Sequence, residues 1–386
     1  MMTMIYLNNA ATSWPKPPEV ATAMARAIEH LPGAANRGGI EDFDVMDAVR
    51  VRLAAFMGVK DRNRISLGAN ATWGLNLALF GLQLEPGDQV ITTKAEHNSV
   101  LRPLQVLDQR GAHIHYVDTD TTGAVPLDVW CATLEEHQPK LAVFTHASNV
   151  TGAVNDVASL AAAAHEQNAT VLLDLAQTLG WHEVALEQWN VDLAAFTGHK
   201  YLLGPQGTGG LYVRQGLELT PHLVGGTGIR SDLDVMPEEM PLHLEAGTSN
   251  EPAAFGLLAA LNWAAENPVS ACHTAVLFEL NYLREELMKL GAHVINSDSS
   301  DLLCTPVISF TFDNISAYDI GEALLDSYDI IVRTGLHCSP RIFECLGIDP
   351  LVGTVRVSLS RFTTHAELEA LVEALRDITV FRKDWF

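Results

Sequence analysis

Basic side chains are scarce in this sequence: 24 Lys and Arg stand against 47 Asp and Glu, a net charge of −23 over 386 residues. Such a surface repels phosphate backbones and anionic lipid headgroups, so neither nucleic acid nor a membrane surface is expected as a partner. Long apolar runs are missing too, since no stretch approaches the roughly 18 uninterrupted apolar residues of a membrane-spanning helix. The first ten residues have neither the basic flank nor the apolar core of a secretory leader. A cytoplasmic location is therefore expected. The cysteines are Cys131, Cys272, Cys304, Cys338 and Cys345, an odd number with no C-x-x-C pair. That spacing points to neither a disulfide framework nor a zinc site, and no metal is expected. Internal repeats and low-complexity linkers are also absent. What remains is 48% hydrophobic and 18% charged, the composition of an ordinary folded chain long enough for two domains.

Short apolar runs at 89–93, 113–117, 141–145, 170–174, 192–197 and 209–213 alternate with helical patterns. This alternation predicts a largely parallel sheet covered by helices. Between two of the runs, Val157, Leu160, Ala161 and Ala164 fall at i, i+3, i+4 and i+7, one face of a helix. Polar residues gather just after the runs, at Glu96-His97-Asn98, Ser148-Asn149, Asp174 and Lys200, where open α/β sheets bind ligands. From Pro252 onward, two long helical stretches lead to strands expected at 306–312, 330–333 and 354–359. A smaller carboxyl-terminal domain is the simplest reading. Thr364 and Glu367 are spaced as a capping box for its last helix, with Leu368, Leu371, Val372 and Leu375 as the apolar stripe.

The most informative stretch is 171–200, where one apolar run ends in Asp174-Leu175-Ala176-Gln177 and the next in Thr197-Gly198-His199-Lys200. An Asp after a strand most often caps a turn, and a lysine there is most often a solvated surface residue. Together they suit a cofactor with a basic ring nitrogen and a reactive aldehyde, namely pyridoxal phosphate. A carboxylate keeps the pyridine protonated, and a lysine amine condenses with the aldehyde.

With the loop Arg333-Thr334-Gly335-Leu336-His337-Cys338, the pattern resembles the aminotransferase class V family of fold-type I pyridoxal phosphate enzymes. Within that family it looks like the cysteine desulfurase and selenocysteine lyase group. The resemblance spans nearly the whole chain. It implies an α/β fold, with a large domain built on a mostly parallel seven-stranded sheet and a smaller C-terminal α+β domain. The expected division is an N-terminal arm at 1–20, a cofactor-binding domain at 21–251, and a C-terminal domain at 252–386 carrying the Cys338 loop. Residue by residue, the resemblance gives Lys200 the Schiff base and Asp174 the ring nitrogen. Gln177 is given the phenolic oxygen, and Thr197 and His199 the phosphate. His97, which alone would more often be structural, matches the histidine that stacks on the ring and shuttles protons.

Ala71-Thr72 opens an apparent helix, where free N–H groups and a hydroxyl can bind phosphate, although a plain N-cap is an equally ordinary use of such a start. Asn149 matches a family position near the phenolic oxygen and the substrate. Arg356 matches the arginine that grips the substrate carboxylate, with Arg333, Asn9 and Ala10 also on the substrate side. Glu245, Gly247 and Thr248 resemble a segment that reaches the cofactor phosphate of a neighbouring subunit, which implies a homodimer. Cys338 is the expected nucleophile that takes sulfur as a persulfide from L-cysteine, leaving L-alanine, and His337 and Arg333 are its candidate positive neighbours. The setting Leu336-His337-Cys338-Ser339-Pro340 looks like the second of the two desulfurase groups. A sulfur-acceptor protein is a further implied partner.

Selenocysteine lyase and cysteine sulfinate desulfinase activities share this apparatus. A class V aminotransferase, lyase or epimerase with Cys338 incidental, or a non-enzymatic sulfur carrier, are the other readings. Asn8 stands where the family commonly has Asp, Leu336 replaces a frequent His, and Ile40 follows Arg37-Gly38-Gly39 where a His is often found.

Overall fold

A computed structural model describes residues 4–29, 43–296 and 304–381. Arg37, Gly38, Gly39 and Ile40 lie outside the described residues. The six apolar runs are all strands of one sheet: β3 (Gln89–Thr93), β4 (His113–Val117), β5 (Leu141–Thr145), β6 (Thr170–Asp174), β7 (Leu193–Thr197) and β8 (Gly209–Val213). A seventh, β2 (Ile65–Gly68), completes the order β2-β8-β7-β6-β5-β3-β4. All neighbours pair in parallel except β8, which runs antiparallel between β7 and β2.

Side chains of this sheet alternate between two covered faces, as the strand pleat requires. Leu141, Val143 and Leu172 point into one core with α3 (Ala71–Gly81) and α4 (Asn98–Gln109). Ala142, Phe144, Val171 and Leu173 point into the other, with α2 (Val45–Met57), α5 (Leu127–His137) and α6 (Val157–Glu166). The four residues assigned to one face of α6 are indeed its buried ones. Two glycines allow close approach here: a Cβ on Gly210 of β8 would lie 2.2 Å from the Ser66 carbonyl of β2, and one on Gly74 of α3 2.5 Å from the Gly210 carbonyl.

Helix α7 (Glu251–Glu266) shares the core of the large sheet through Ala254, Leu257 and Leu261. After α8 (His273–Lys289) comes a four-stranded antiparallel sheet, β12-β13-β10-β9, from β9 (His293–Val294), β10 (Val307–Thr311), β12 (Arg333–Gly335) and β13 (Thr354–Ser358). The strand expected at 330–333 is two pieces. Ile330–Ile331 forms β11, which leaves this sheet to pair in parallel with β1 (Ile5–Tyr6), and Arg333 begins β12. The short helix α10 (Ile342–Cys345) follows the Cys338 loop, and α9 (Ala317–Tyr328) and α11 (His365–Phe381) cover the small sheet. At the start of α11, Thr364 N donates to Glu367 Oε2 at 2.8 Å and Glu367 N to Thr364 Oγ1 at 3.4 Å, the reciprocal capping box.

Parallel β3, β5, β6 and β7 end on one edge of the large sheet, so the polar residues that follow them converge there. The N-terminal segment closes that edge against the small sheet, with Asn8 bridging to Ser358. Among the described residues, no helix is long and apolar enough to cross a membrane.

Candidate active site

At that edge lies a cavity of about 250 Å³ lined by Ala10, Ala71, Thr72, His97, Asn149, Asp174, Gln177, Thr197, His199, Lys200, Arg333 and Arg356. Twelve residues singled out in the sequence thus share one wall. Lys200 follows the end of β7 and lines the cavity. Burial pushes its amine down to about 8, against the opposing pull of Asp174. Asp174 ends β6 and is 3% exposed. Burial raises its carboxyl above the usual range, while the Ala176 N–H at 2.9 Å and the Lys200 charge act the other way.

His97 caps α4, with its Nδ1 accepting the Ser99 N–H at 3.0 Å, which leaves the ring proton on Nε2 in the neutral form. Burial, then the Lys200 and Arg333 charges, push its pKa down to about 3, so the ring is neutral at physiological pH. Ser99 Oγ also meets Thr72 Oγ1 at 2.7 Å, tying the starts of α4 and α3 together. Ser99 and Asn70, which caps α3, line the cavity although the sequence gave them no role. Glu96, one of the polar residues noted at the strand ends, likewise had no individual role assigned. Its carboxyl is fully buried, accepts from Thr93 Oγ1 at 2.6 Å and Thr145 N at 3.0 Å, and is raised to about 8 chiefly by burial. The signal was a carboxylate directly beside His97 at an apolar strand end.

Arg356, on β13, is fully buried. It donates from Nη1 to the Asn149 carbonyl at 2.9 Å and from Nη2 to Asn8 Oδ1 at 3.1 Å. Burial and the nearby Arg333 push it down to about 9, still a cation at neutral pH. The Asn149 amide faces the Cys338 loop: Nδ2 donates to the His337 carbonyl at 2.7 Å, and Oδ1 accepts from Ser339 Oγ at 2.6 Å. Asn98 N donates to the Cys338 carbonyl at 2.7 Å. These bonds hold His337 and Cys338 in left-handed backbone conformations, φ 51° and 64°, that L-residues rarely adopt.

Arg333 Nη2 then lies 2.9 Å from Cys338 Sγ. Of the two positive neighbours expected for this sulfur, only Arg333 qualifies. His337 is buried with Nε2 on Thr354 Oγ1 at 2.7 Å, and burial with two nearby guanidiniums holds its pKa well below the usual value.

Three expected residues are not among those lining the cavity: Cys338, which meets it through Arg333, and Asn9 and Thr248, which lie elsewhere. Asn9 is buried as a tie within the N-terminal segment, donating to the Ser358 carbonyl and accepting from Trp14 N, both at 3.0 Å. Thr248 lines a separate cavity beyond α3, near Trp73 and Glu245. Glu245 holds that segment in place by accepting from Arg50 Nη2 at 2.6 Å and from Leu67 N at 2.7 Å.

The donor set fits a phosphorylated pyridine aldehyde. Gln177 Oε1 and His199 Nδ1 are buried without a partner, and the Asp174 carboxyl receives only its own loop's N–H among the described hydrogen bonds. Such groups are costly unless a bound molecule completes them. The start of α3 adds N–H groups suited to a phosphate.

The sequence model of the aminotransferase class-V family matches residues 5–371. The chain is similar to a cysteine desulfurase of Shigella flexneri, 30% identical over 98% of this chain and 94% of that protein. A cysteine desulfurase of Cronobacter sakazakii is 32% identical over 96% and 92%. Among solved structures, the apo cysteine desulfurase of Thermococcus onnurineus superposes with a TM-score of 0.85 at 28% identity, covering 98% of this chain and 95% of that one. An Escherichia coli cysteine desulfurase in an S-sulfonic acid form gives 0.84 at 26% identity over 98% and 94%.

Proposed function

The chain belongs to the aminotransferase class V family, and we infer that within it this protein is a pyridoxal phosphate-dependent cysteine desulfurase. It takes sulfur from L-cysteine onto Cys338 and releases L-alanine. The observation that carries the reading is the contact of Cys338 Sγ at 2.9 Å with Nη2 of Arg333, which lines the cavity together with Lys200, Asp174 and Arg356.

Bound in that cavity, pyridoxal phosphate supplies an aldehyde for the substrate amine and an electron-drawing ring. The residues that would hold it are Lys200, Asp174, Gln177, Thr197, His199 and the Ala71-Thr72 helix start. Arg356 offers its guanidinium to the substrate carboxylate. Lys200 Nζ, with its basicity lowered to about 8, is suited to lifting the proton from the substrate Cα and returning one. Neutral His97 carries its ring proton on Nε2, where it can orient polar groups without adding charge. Cys338 Sγ, with Arg333 as counter-charge, bonds to the substrate sulfur as the thiolate. The substrate Cβ–S bond breaks, its electron pair and a proton complete the methyl group of alanine, and Cys338 keeps the sulfur as a persulfide. The test is a product assay. Stoichiometric alanine and sulfide from L-cysteine in the presence of a thiol reductant are expected, whereas alanine from selenocysteine or cysteine sulfinate alone would overturn the cysteine assignment.

A homodimer belongs to the same reading, because Thr248 lies away from its own chain's cavity on a segment braced by the Arg50–Glu245 pair. Thr248 would then serve the partner's cofactor phosphate. Thr248→Ala should weaken cofactor retention on dialysis by about tenfold, a loss typical of one charge-assisted hydrogen bond, and sedimentation should show a dimer. A fully active monomer would exclude this arrangement. A cytoplasmic setting, with a sulfur-acceptor protein drawing from Cys338, completes the proposal. All five cysteines are unpaired thiols, the usual state in a reducing compartment.

A further inference from the structure

The order of strands in the large sheet reverses between β3 and β5: from β3 the chain moves outward to β4, then crosses back over β3 to begin β5 and continues through β6 and β7 in the other direction. Such a reversal opens a crevice at the carboxyl ends of the two strands. Here β3 stays paired with β4 as far as Thr93–Val117, but pairs with β5 only at Val90–Leu141 and Ile91–Ala142. The end of β5 therefore reaches Thr145 with no β3 partner. On its other side Thr145 is in register with Asp174 of β6.

Glu96 fills this gap. It is 0% exposed, and its Oε1 accepts from Thr145 N at 3.0 Å and from Thr93 Oγ1 at 2.6 Å, so one oxygen joins the ends of both strands. Thr93 Oγ1 also accepts from Ala95 N at 3.1 Å, which tightens the turn that delivers Glu96. At the far end of that turn His97 lines the cavity, and Asn98 N donates to the Cys338 carbonyl at 2.7 Å. Thr145 lines the cavity from the β5 side, whereas Glu96 stands behind the wall. Its Oε2 is buried without a partner, so a charge there would be uncompensated. The neutral acid is the form that fits, in keeping with a carboxyl raised to about 8 chiefly by burial.

We propose that Glu96 is a positioning residue that closes the crevice between β3 and β5 in place of the missing strand pairing, and so fixes His97 and Asp174 relative to each other. This rests on the reading that His97 and Asp174 serve the cofactor. Without Oε1 the Thr145 N–H is a buried donor with no acceptor, a cost that drives the strand ends apart or draws water between them. Either change reaches Asp174 through the register of β5 with β6, and reaches His97 through the turn. The requirement is one of shape and not of charge: an acceptor oxygen at that distance from the backbone, on a neutral group.

The test compares E96Q, E96D and E96A in the full-length holoenzyme. E96Q keeps the length and one acceptor oxygen, while E96D keeps the acid and loses a methylene. Two quantities are read: hydrogen exchange at the Thr145 amide, by mass spectrometry with residue-level fragmentation, and kcat and KM for L-cysteine. E96Q should stay within about threefold of the wild type in both. E96D and E96A should speed exchange at Thr145 and lower kcat, each by at least about tenfold, with KM within about threefold because Arg356 is untouched. A role in stability alone would lower the melting temperature and leave kcat per folded molecule unchanged, and that result would overturn the proposal. So would an E96Q as damaging as E96A, or exchange at the wild-type rate in E96D. Should E96A fail to fold, E96Q and E96D decide by the same criteria. D174A separates this outcome from a failure of the underlying reading, since exchange at Thr145 is measured without reference to turnover. If D174A lowers kcat while E96D does not, Glu96 alone loses its role, and if D174A leaves kcat at the wild-type value, Asp174 does not serve the cofactor and the proposal falls with it.

Discussion

Lys200→Ala should lower alanine and sulfide release from L-cysteine by at least roughly 10³-fold, because on the proposed reading one change removes both the amine that anchors the cofactor and the group that moves the Cα proton. Lys200 is the only lysine among the described residues that lines the cavity. Its nearest rival, Lys16, is committed elsewhere, donating to Ser13 Oγ at 2.7 Å and to the His199 carbonyl at 2.8 Å. Lys94 is paired with Asp118 and Glu344 at the far side of the Cys338 loop. The variant should therefore lose covalent cofactor attachment outright, and its visible absorbance should disappear on dialysis. Borohydride reduction followed by peptide mapping checks this directly, and a labelled peptide from any other lysine would sink the assignment. Folding should survive, since the change removes a buried charge with no described hydrogen bond or ion pair of its own.

Cys338→Ala should have the second largest effect, cutting sulfide release from L-cysteine by roughly 10²-fold or more while leaving cofactor attachment at Lys200 intact. The loop conformation does not depend on the thiol. Asn149, Asn98 and Ser339 hold it through bonds to backbone and hydroxyl groups, and alanine at φ 64° carries the same strain as cysteine. The variant thus reads the chemistry of the sulfur rather than the shape of the loop. Selenocysteine and cysteine sulfinate should be affected less, because their leaving groups depart with less help from a nucleophile. Sulfide release at the wild-type rate would make Cys338 a bystander and shift the function to another class V reaction.

The elements that place these residues were largely legible because burial on both faces leaves a strong mark on a strand. Leu-Ala-Val-Phe-Thr and Leu-Ala-Ala-Phe-Thr are buried throughout and apolar up to the closing Thr, as a parallel sheet between helix layers requires. Ile65-Ser66-Leu67-Gly68 escaped notice because it is short, half polar and paired only with the antiparallel β8 at the sheet margin. The run at 330–333 looked like one strand because its two pieces adjoin, yet their partners, β1 and β13, lie near opposite ends of the chain.

Within the site, Asp174, Gln177 and Lys200 could be read locally because Asp174 ends β6, Gln177 follows three residues later and Lys200 comes three residues after β7, and strand ends in such a sheet share one edge. The sequence by itself thus determined the class of fold, the acid and amine pair, and the strand ends that present them, since those depend on periodicity within some ten residues. Tertiary structure alone decided which groups meet. It gave Cys338 to Arg333 rather than to His337, turned the Asn149 amide onto the cysteine loop, sent Thr248 to a separate cavity, and brought Asn8 to Arg356 across 348 positions. The reason is that contacts between distant segments depend on crossovers, crossing geometry and the burial cost of each polar group, none of which leaves a local trace in the order of residues.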